Sequence, residues 1–536
     1  MTSNVQRSEM RFLTGQGRYL VNQPASGAAH AAFLRSPVAH GQIVKCDTAQ
    51  ARTMPGVLDV ITSNDIASAG LGALPCLADI AADERWSAFL PPRHLLATER
   101  VRHVGEPVAV IVAETIDQAR DAAEAIDLSI DPLPVGVDPA SVIEPKAPAI
   151  WPECPDNVAL DWEAGDRSAV DRAFAEAAHV IHLKLVNNRL AMMPLETRSA
   201  RGTFDPLSGR YTLHSPTQGV HNIREVLAGI LRVDERTLRV VTDDVGGAFG
   251  LKGMAFPEQA LTLFAARRIG REVLWVADRS EAFVSDNAAR DHVTEIFLAL
   301  DAGHRMLALS VDTIGNMGAY LSNHALNMPT MVYGRVMGGV YAIPAIHMRS
   351  RCVFTNTPPV DAYRGAGVPE AIYAVERVID VAAGDVGVDP LEIRRRNFLT
   401  PEHFPWPTPI GYAIDSGDFA GAMNRALDLA DWDGFDARRQ ASAARGLRRG
   451  RGLAMSIHGT GASTNETARV VAREDGRVTV FSGTQSGGQG HDAMLAEVAG
   501  EALGIDAGLI DVRQGDSDML SRGAGVPEAI YAVERV

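Results

Sequence analysis

The stretch Asp131–Glu153, "DPLPVGVDPASVIEPKAPAIWPE", carries six prolines. Proline has no backbone N–H and a fixed φ, so this density excludes a helix or a central strand. The chain must therefore break here, with folded material on both sides. A second proline-rich break, "PEHFPWPTP" at Pro401–Pro409, opens a third region. With 536 residues the chain has room for several domains of about 100–200 residues each.

The segments around these breaks alternate between strand and helix patterns. "EPVAVIVAE" (Glu106–Glu114) is a compact β-branched run and predicts a buried strand. Thr115–Leu128 follows with helical spacing. Thr237–Val245 and Arg271–Asp278 predict strands, and between them Pro257–Gly270 predicts a helix with proline at its start and glycine at its end.

Three glycine-rich loops precede helical runs: "VGGAFGLKG" (Val245–Gly253), "YRGAGVPEAI" (Tyr363–Ile372) and "SGTQSGGQGHDA" (Ser482–Ala493). Glycine lets backbone N–H groups approach a ligand closely, and a helix N-terminus adds unpaired donors and partial positive charge. Such loops suit anions and phosphates. None matches a Walker loop, since Lys252 lacks the preceding glycine and following Ser or Thr, and none matches the Rossmann fingerprint. The residues alone thus point to a multi-loop site for a large phosphate-bearing group; a nucleotide-binding protein using the same loops is the competing reading.

Composition narrows the partners. A net charge of −15 argues against broad binding to nucleic acid or to an anionic membrane. Two arginine-rich stretches, Arg394–Asn397 and Arg445–Gly452, are expected on a solvated face or a subunit contact. The four cysteines, Cys46, Cys76, Cys154 and Cys352, form no Cys-x-x-Cys pair, so no zinc or iron–sulfur spacing is present. Few cysteines, no export signal and no long apolar run predict a cytoplasmic protein away from membranes.

An ordered series of motifs carries a resemblance. "HAAFLRSPVAHGQI", "PGVLDVITSNDI" and "VRHVGEPVAVIVAE" are followed by "NNRLAMMPLETRSARGTFD", "SPTQGVHNIRE" and "VGGAFGLKG", then by "AYRGAGVPEA", "GGQGHDA" and "GDSD". This series resembles the large, molybdopterin-binding subunit of the molybdenum hydroxylases, the xanthine dehydrogenase/aldehyde oxidase family, and within it the carbon monoxide dehydrogenase-like bacterial subunits. The resemblance implies a mixed α+β and α/β fold. A hammerhead-type N-terminal domain would span residues 1–135 and a linker 136–155. A first molybdenum cofactor-binding domain would span 156–400, and a partial second one 410–521.

The same resemblance implies the cofactor and its residues. The cofactor would be molybdopterin cytosine dinucleotide, whose dithiolene holds molybdenum, so no protein metal ligand is expected. Gln218 would lie beside the metal's oxygen side. Gly246, Gly247, Phe249 and Gly250 would line the metal and substrate channel, although Phe249 taken alone would suit a core. Arg364 would stand beside the metal rather than in a surface ion pair. Gln489, Gly490 and His491 would bind the pterin and pyrophosphate; His491 taken alone would suit a helix entry. The loop Arg364–Gly367 lacks the cysteine of the copper-containing carbon monoxide dehydrogenases, so the implied reaction is hydroxylation of an aldehyde or an N-heteroaromatic carbon with water-derived oxygen. Electrons would leave to an iron–sulfur (2Fe–2S) small subunit and an FAD medium subunit, in a dimer of heterotrimers.

The family's general-base glutamate follows "GDSD" by a long interval, so the resemblance implies C-terminal truncation and an inactive fragment with no catalytic residue to assign. Glu106 lies in the wrong domain to replace it. The last fifteen residues, Arg522–Val536, copy Arg364–Val378 letter for letter and are taken as a duplicated tail. A non-catalytic remnant or scaffold for partner subunits is the alternative function.

Overall fold

The structure, a computed structural model, describes residues 10–459 and 467–520. The duplicated tail 522–536 lies outside the described residues, so only its first copy, at Arg364, can be placed.

The largest sheet is drawn across the first proline break. One seven-stranded sheet runs in the order Leu238–Val241, Arg210–His214, Ser199–Asp205, Val273–Val276, Ala29–Arg35, Pro107–Ala113, Val57–Thr62. Its two halves, from either side of residues 136–155, meet at a parallel pairing of Ala29 with Val273 and His30 with Leu274. The strand Pro107–Ala113 is buried along its whole length, as its apolar run predicts.

The break itself is a packed strap rather than a loose tether. The Asn157 side chain accepts from Ile150 N–H at 2.8 Å and donates to the carbonyls of Val142 and Pro148. The Trp151 indole donates to Ala319 O at 2.9 Å. Prolines leave few donors here, and Asn157 satisfies the carbonyls that a regular element would otherwise pair.

A five-stranded sheet follows, ordered Val158–Gly165, Ala345–Phe354, Met306–Gly318, His292–Leu300, His179–Asn187. The helix Val368–Asp385 packs on it through Ala371, Ala374, Val375, Val378, Ile379 and Ala382, all buried. Pro369 sits in the first turn, where its missing N–H costs nothing. The third region adds strands Ala468–Ala472, Val478–Ser482 and Ile510–Arg513, with the helix His491–Leu503 against them.

Two expectations change. The first predicted helix ends at Glu124 rather than Leu128, because Asp127–Pro132 pairs as a strand with Gly41–Asp47. Its start is as read: Thr115 Oγ1 accepts from Gln118 N–H. The arginine stretch at 394 is not wholly a solvated face. Arg394 is fully buried, with its guanidinium on Glu376 (2.8 Å) and Asp380 (2.9 Å), while Arg395 is exposed.

Candidate cofactor site

Each glycine loop leaves a strand or irregular segment and enters a helix. The first begins where strand Leu238–Val241 stops, because Thr242 N–H turns away to Gly515 O (2.7 Å). It then passes a short 3-10 turn into helix Pro257–Ile269. The second ends at the helix beginning at Val368, the third at the helix beginning at His491.

The first two loops use left-handed backbone at close quarters. Phe249 has φ 53°, and Gly247 and Gly250 have φ 94° and 100°. A Cβ on Gly250 would stand 2.3 Å from Ala362 O, so only glycine lets the second loop approach the first. In the second loop Gly365, Ala366 and Gly367 follow one another at φ 94°, 45° and 85°. Arg364 N–H then donates to Phe249 O at 3.0 Å, joining the two loops.

The three loops enclose one pocket of about 650 Å³. Gln218, Gly246, Gly247, Phe249, Gly250, Arg364 and Gln489 all line it, together with Met193, Leu195, Ala248, Gly487 and Gly488. Phe249 is 44% exposed and forms pocket wall rather than core. Gly490 lies one step further, in an adjoining cleft of about 430 Å³ that shares Gly488 and Gln489 with the pocket. This cleft is also lined by Ser486, by the acidic Asp243, Asp244, Asp492 and Glu497, and by Arg11, which is paired with Asp244 at 2.8 Å. His491 is not on either lining. It is buried at the helix start, where burial lowers its pKa.

Gln218 Oε1 accepts from Gly250 N–H at 2.8 Å, which leaves its amide NH₂ as the end to donate into the pocket. Behind the first loop lies a buried pair. Lys252 Nζ stands 2.9 Å from Glu196 Oε2, which also accepts from Gly246 N–H at 2.8 Å. Burial lowers the pKa of Lys252, opposed by Glu196. Glu196 and Lys252 were visible in the sequence only as charges inside otherwise apolar or glycine-rich segments. Met193 and Leu195 carry no such signal.

The third region is docked by "GDSD". Gly515 makes its bond to Thr242, Asp516 pairs with Arg239 at 2.5 Å, and Ser517 Oγ accepts from Val240 N–H at 3.0 Å. Gln485 reaches across to Thr217 O at 2.7 Å, just before Gln218. These bonds bring the third loop to the first.

Glu106 is on neither lining. It is buried, accepts from Tyr320 OH and Arg102 N–H at 2.5 Å each, and burial raises its pKa. Among the described residues no group of three or more His, Cys, Asp or Glu side chains is arranged to hold a metal ion. No helix among them is long and apolar enough to cross a membrane.

Comparison with known proteins reads the same way. Residues 14–134 match the family described as aldehyde oxidase and xanthine dehydrogenase, a/b hammerhead domain. Residues 150–398 and 425–526 match molybdopterin cofactor-binding domains. The carbon monoxide dehydrogenase large chain of Hydrogenophaga pseudoflava is 31% identical, over 97% of this chain and 67% of its own. The chain belongs to the xanthine dehydrogenase/aldehyde oxidase family. It is a large, molybdopterin-binding subunit of the carbon monoxide dehydrogenase-like kind. The 6-hydroxypseudooxynicotine dehydrogenase complex subunit gamma of Paenarthrobacter nicotinovorans is 34% identical over 97% of this chain and 65% of its own. Quinoline 2-oxidoreductase from Pseudomonas putida 86 superposes with a TM-score of 0.88 at 32% identity, covering 95% of this chain and 66% of that one. The chain thus spans about two thirds of the length of its relatives.

The lining fits a molybdopterin in size and chemistry. A pocket continuous with a second cleft suits an elongated ligand. In the pocket the glycines leave room that any side chain would fill, and the described polar side chains are Gln218, Arg364 and Gln489, with no carboxylate among them. The adjoining cleft adds the acidic residues Asp243, Asp244, Asp492 and Glu497.

Proposed function

We propose that the chain is the molybdenum-binding subunit of a hydroxylase acting on an aldehyde or an N-heteroaromatic carbon. The observation that carries this reading is the convergence of Gln218, the Gly246–Gly250 loop, Arg364 and Gln489 on one pocket in a chain of this family. The cofactor would be molybdopterin cytosine dinucleotide, its metal end by Gln218, Phe249 and Arg364 and its nucleotide end toward the backbone of Gly488–Gly490. When bound, that group supplies Lewis acidity and electron-accepting capacity. The protein supplies position and charge. The Gln218 amide would donate to the metal end of that group, the Arg364 guanidinium would favour negative charge there, and Phe249 would offer an apolar face to a flat substrate. Met193 and Leu195 border the mouth with apolar surface.

Electrons would pass to iron–sulfur and FAD subunits, in keeping with relatives named as subunits of complexes, and the location would be cytoplasmic. The test is co-expression of the full chain with such subunits, followed by dye reduction with aldehydes and N-heteroaromatics in heavy-oxygen water. Product carrying the heavy oxygen is expected. Product oxygen drawn from dioxygen would overturn the reading.

One observation favours a second reading, a chain that loads cofactor without turnover. No carboxylate lines the pocket among the described residues, and Glu196 is committed to Lys252 and Gly246. A general base is thus not in evidence there. Molybdenum present with no substrate oxidised would support this second reading over the first.

A further inference from the structure

Arg290 precedes strand His292–Leu300 and is 8% exposed. Arg290 and Asp291 both have left-handed backbone, at φ 64° and 69°. Two consecutive non-glycine residues rarely adopt this conformation, so the surroundings must hold it. Asp291 is held by Arg189 (3.2 Å) and by Asn316 Nδ2 (2.9 Å). The turn aims the Arg290 guanidinium at the underside of the second glycine loop. There Nη2 donates to Arg364 O at 2.8 Å, and Nη1 donates to Tyr363 O at 3.3 Å. Nη1 also meets both oxygens of Glu370, at 3.0 Å each. Glu370 is 3% exposed in the first turn of the helix that the loop enters, where a carboxylate is favoured.

We infer that Arg290, propped by Glu370, is a positioning residue that clamps the Arg364 loop against the Phe249 loop and so sets how both face the pocket. The connection is continuous: the guanidinium holds the Arg364 carbonyl, and the Arg364 N–H holds the Phe249 carbonyl. The clamp holds the carbonyls of Tyr363 and Arg364, immediately before the left-handed run Gly365, Ala366 and Gly367. A planar fork is needed, because one group must reach two carbonyls and a carboxylate together. Lysine offers the charge without that fork. The inference rests on the reading of this pocket as the cofactor site.

The test is amide hydrogen exchange on the full chain, comparing wild type with Arg290→Lys, Arg290→Gln and the double variant Arg290→Gln/Glu370→Gln. Three amides report the loop: Arg364 to Phe249 O, Ala366 to Tyr363 O and Val368 to Gly365 O. All three variants are expected to exchange these amides at least about tenfold faster, since each loses charge-assisted bonds to the loop. The helix Pro257–Ile269 should keep its wild-type rates. Restoration of slow loop exchange by Arg290→Lys would overturn the inference, because a buried charge pair without the fork would then suffice. Restoration by the double variant would overturn it too, because the single variant's effect would then come from the unpaired Glu370 carboxylate. Equal acceleration throughout the chain would overturn it as well. Molybdenum content of the same preparations is a separate readout. Wild type that never carries molybdenum would defeat the cofactor reading while leaving the exchange result to judge the clamp.

Discussion

Gly250 shows how single atoms limit the site. Its missing Cβ is what allows Ala362 O to approach, and its φ of 100° is closed to other residues without strain. Gly250→Ala should therefore cost about 1–3 kcal/mol in urea unfolding. It should also weaken cofactor retention more than that loss of stability accounts for. Lys252 sets a second limit. Lys252→Met leaves the Glu196 carboxylate buried with only Gly246 N–H as partner, which should cost about 3–5 kcal/mol; Glu196→Gln/Lys252→Met should recover most of it. Unchanged unfolding midpoints in the single variants would contradict the pairing. Gly250 was legible as part of a glycine loop. Lys252 was read only as failing a phosphate-loop pattern, because its partner lies far away in sequence at Glu196.

Among the elements, three adjacent arginines test how burial divides one helix. Arg394 is buried on Glu376 and Asp380, while Arg395 faces solvent. Arg394→Met should cost about 3–5 kcal/mol, and Arg395→Ala should change stability by no more than about 0.5 kcal/mol, both read from urea midpoints. Composition alone could not separate the two, since only the packing of Val368–Asp385 beside Pro390–Asn397 decides which arginine turns inward. Helix and strand types were legible where caps and apolar runs were strong, as at Thr115 and at Pro107–Ala113. The ends were less so, because Asp127–Pro132 takes its form from a partner strand far earlier in the chain.

His103 adds a pH dependence. Burial, with smaller contributions from Arg93, Arg35 and Arg189, lowers its pKa from 6.5 to about 3. Its ring Nδ1 lies 2.9 Å from Val104 O, a bond the neutral imidazole can donate. The folded chain keeps the ring neutral while the unfolded chain takes up a proton. Its stabilising contribution is thus full above pH 6.5 and is lost progressively as the pH falls toward 3. His103→Gln should flatten part of that slope in urea midpoints measured across this window. His40, His94, His214 and His292, all lowered by burial, add to it in the same direction and would persist.

Over the whole molecule, the proline break was legible but its meaning was not. Parallel pairing of Ala29 with Val273 joins strands far apart in sequence, and no local pattern announces it. The order of motifs, in contrast, was legible from end to end and predicted which loops would meet. Whether that meeting is a cofactor site is tested most directly by molybdenum and pterin content per chain. The full chain should be purified from a host that makes molybdopterin and compared with Gly487→Leu, in which a side chain projects toward Ala248 across the third and first loops. The account predicts stoichiometric molybdenum and pterin in wild type and a loss in the variant larger than any fall in its unfolding midpoint accounts for. Wild type without molybdenum, or a variant that loads as well as wild type, would contradict it.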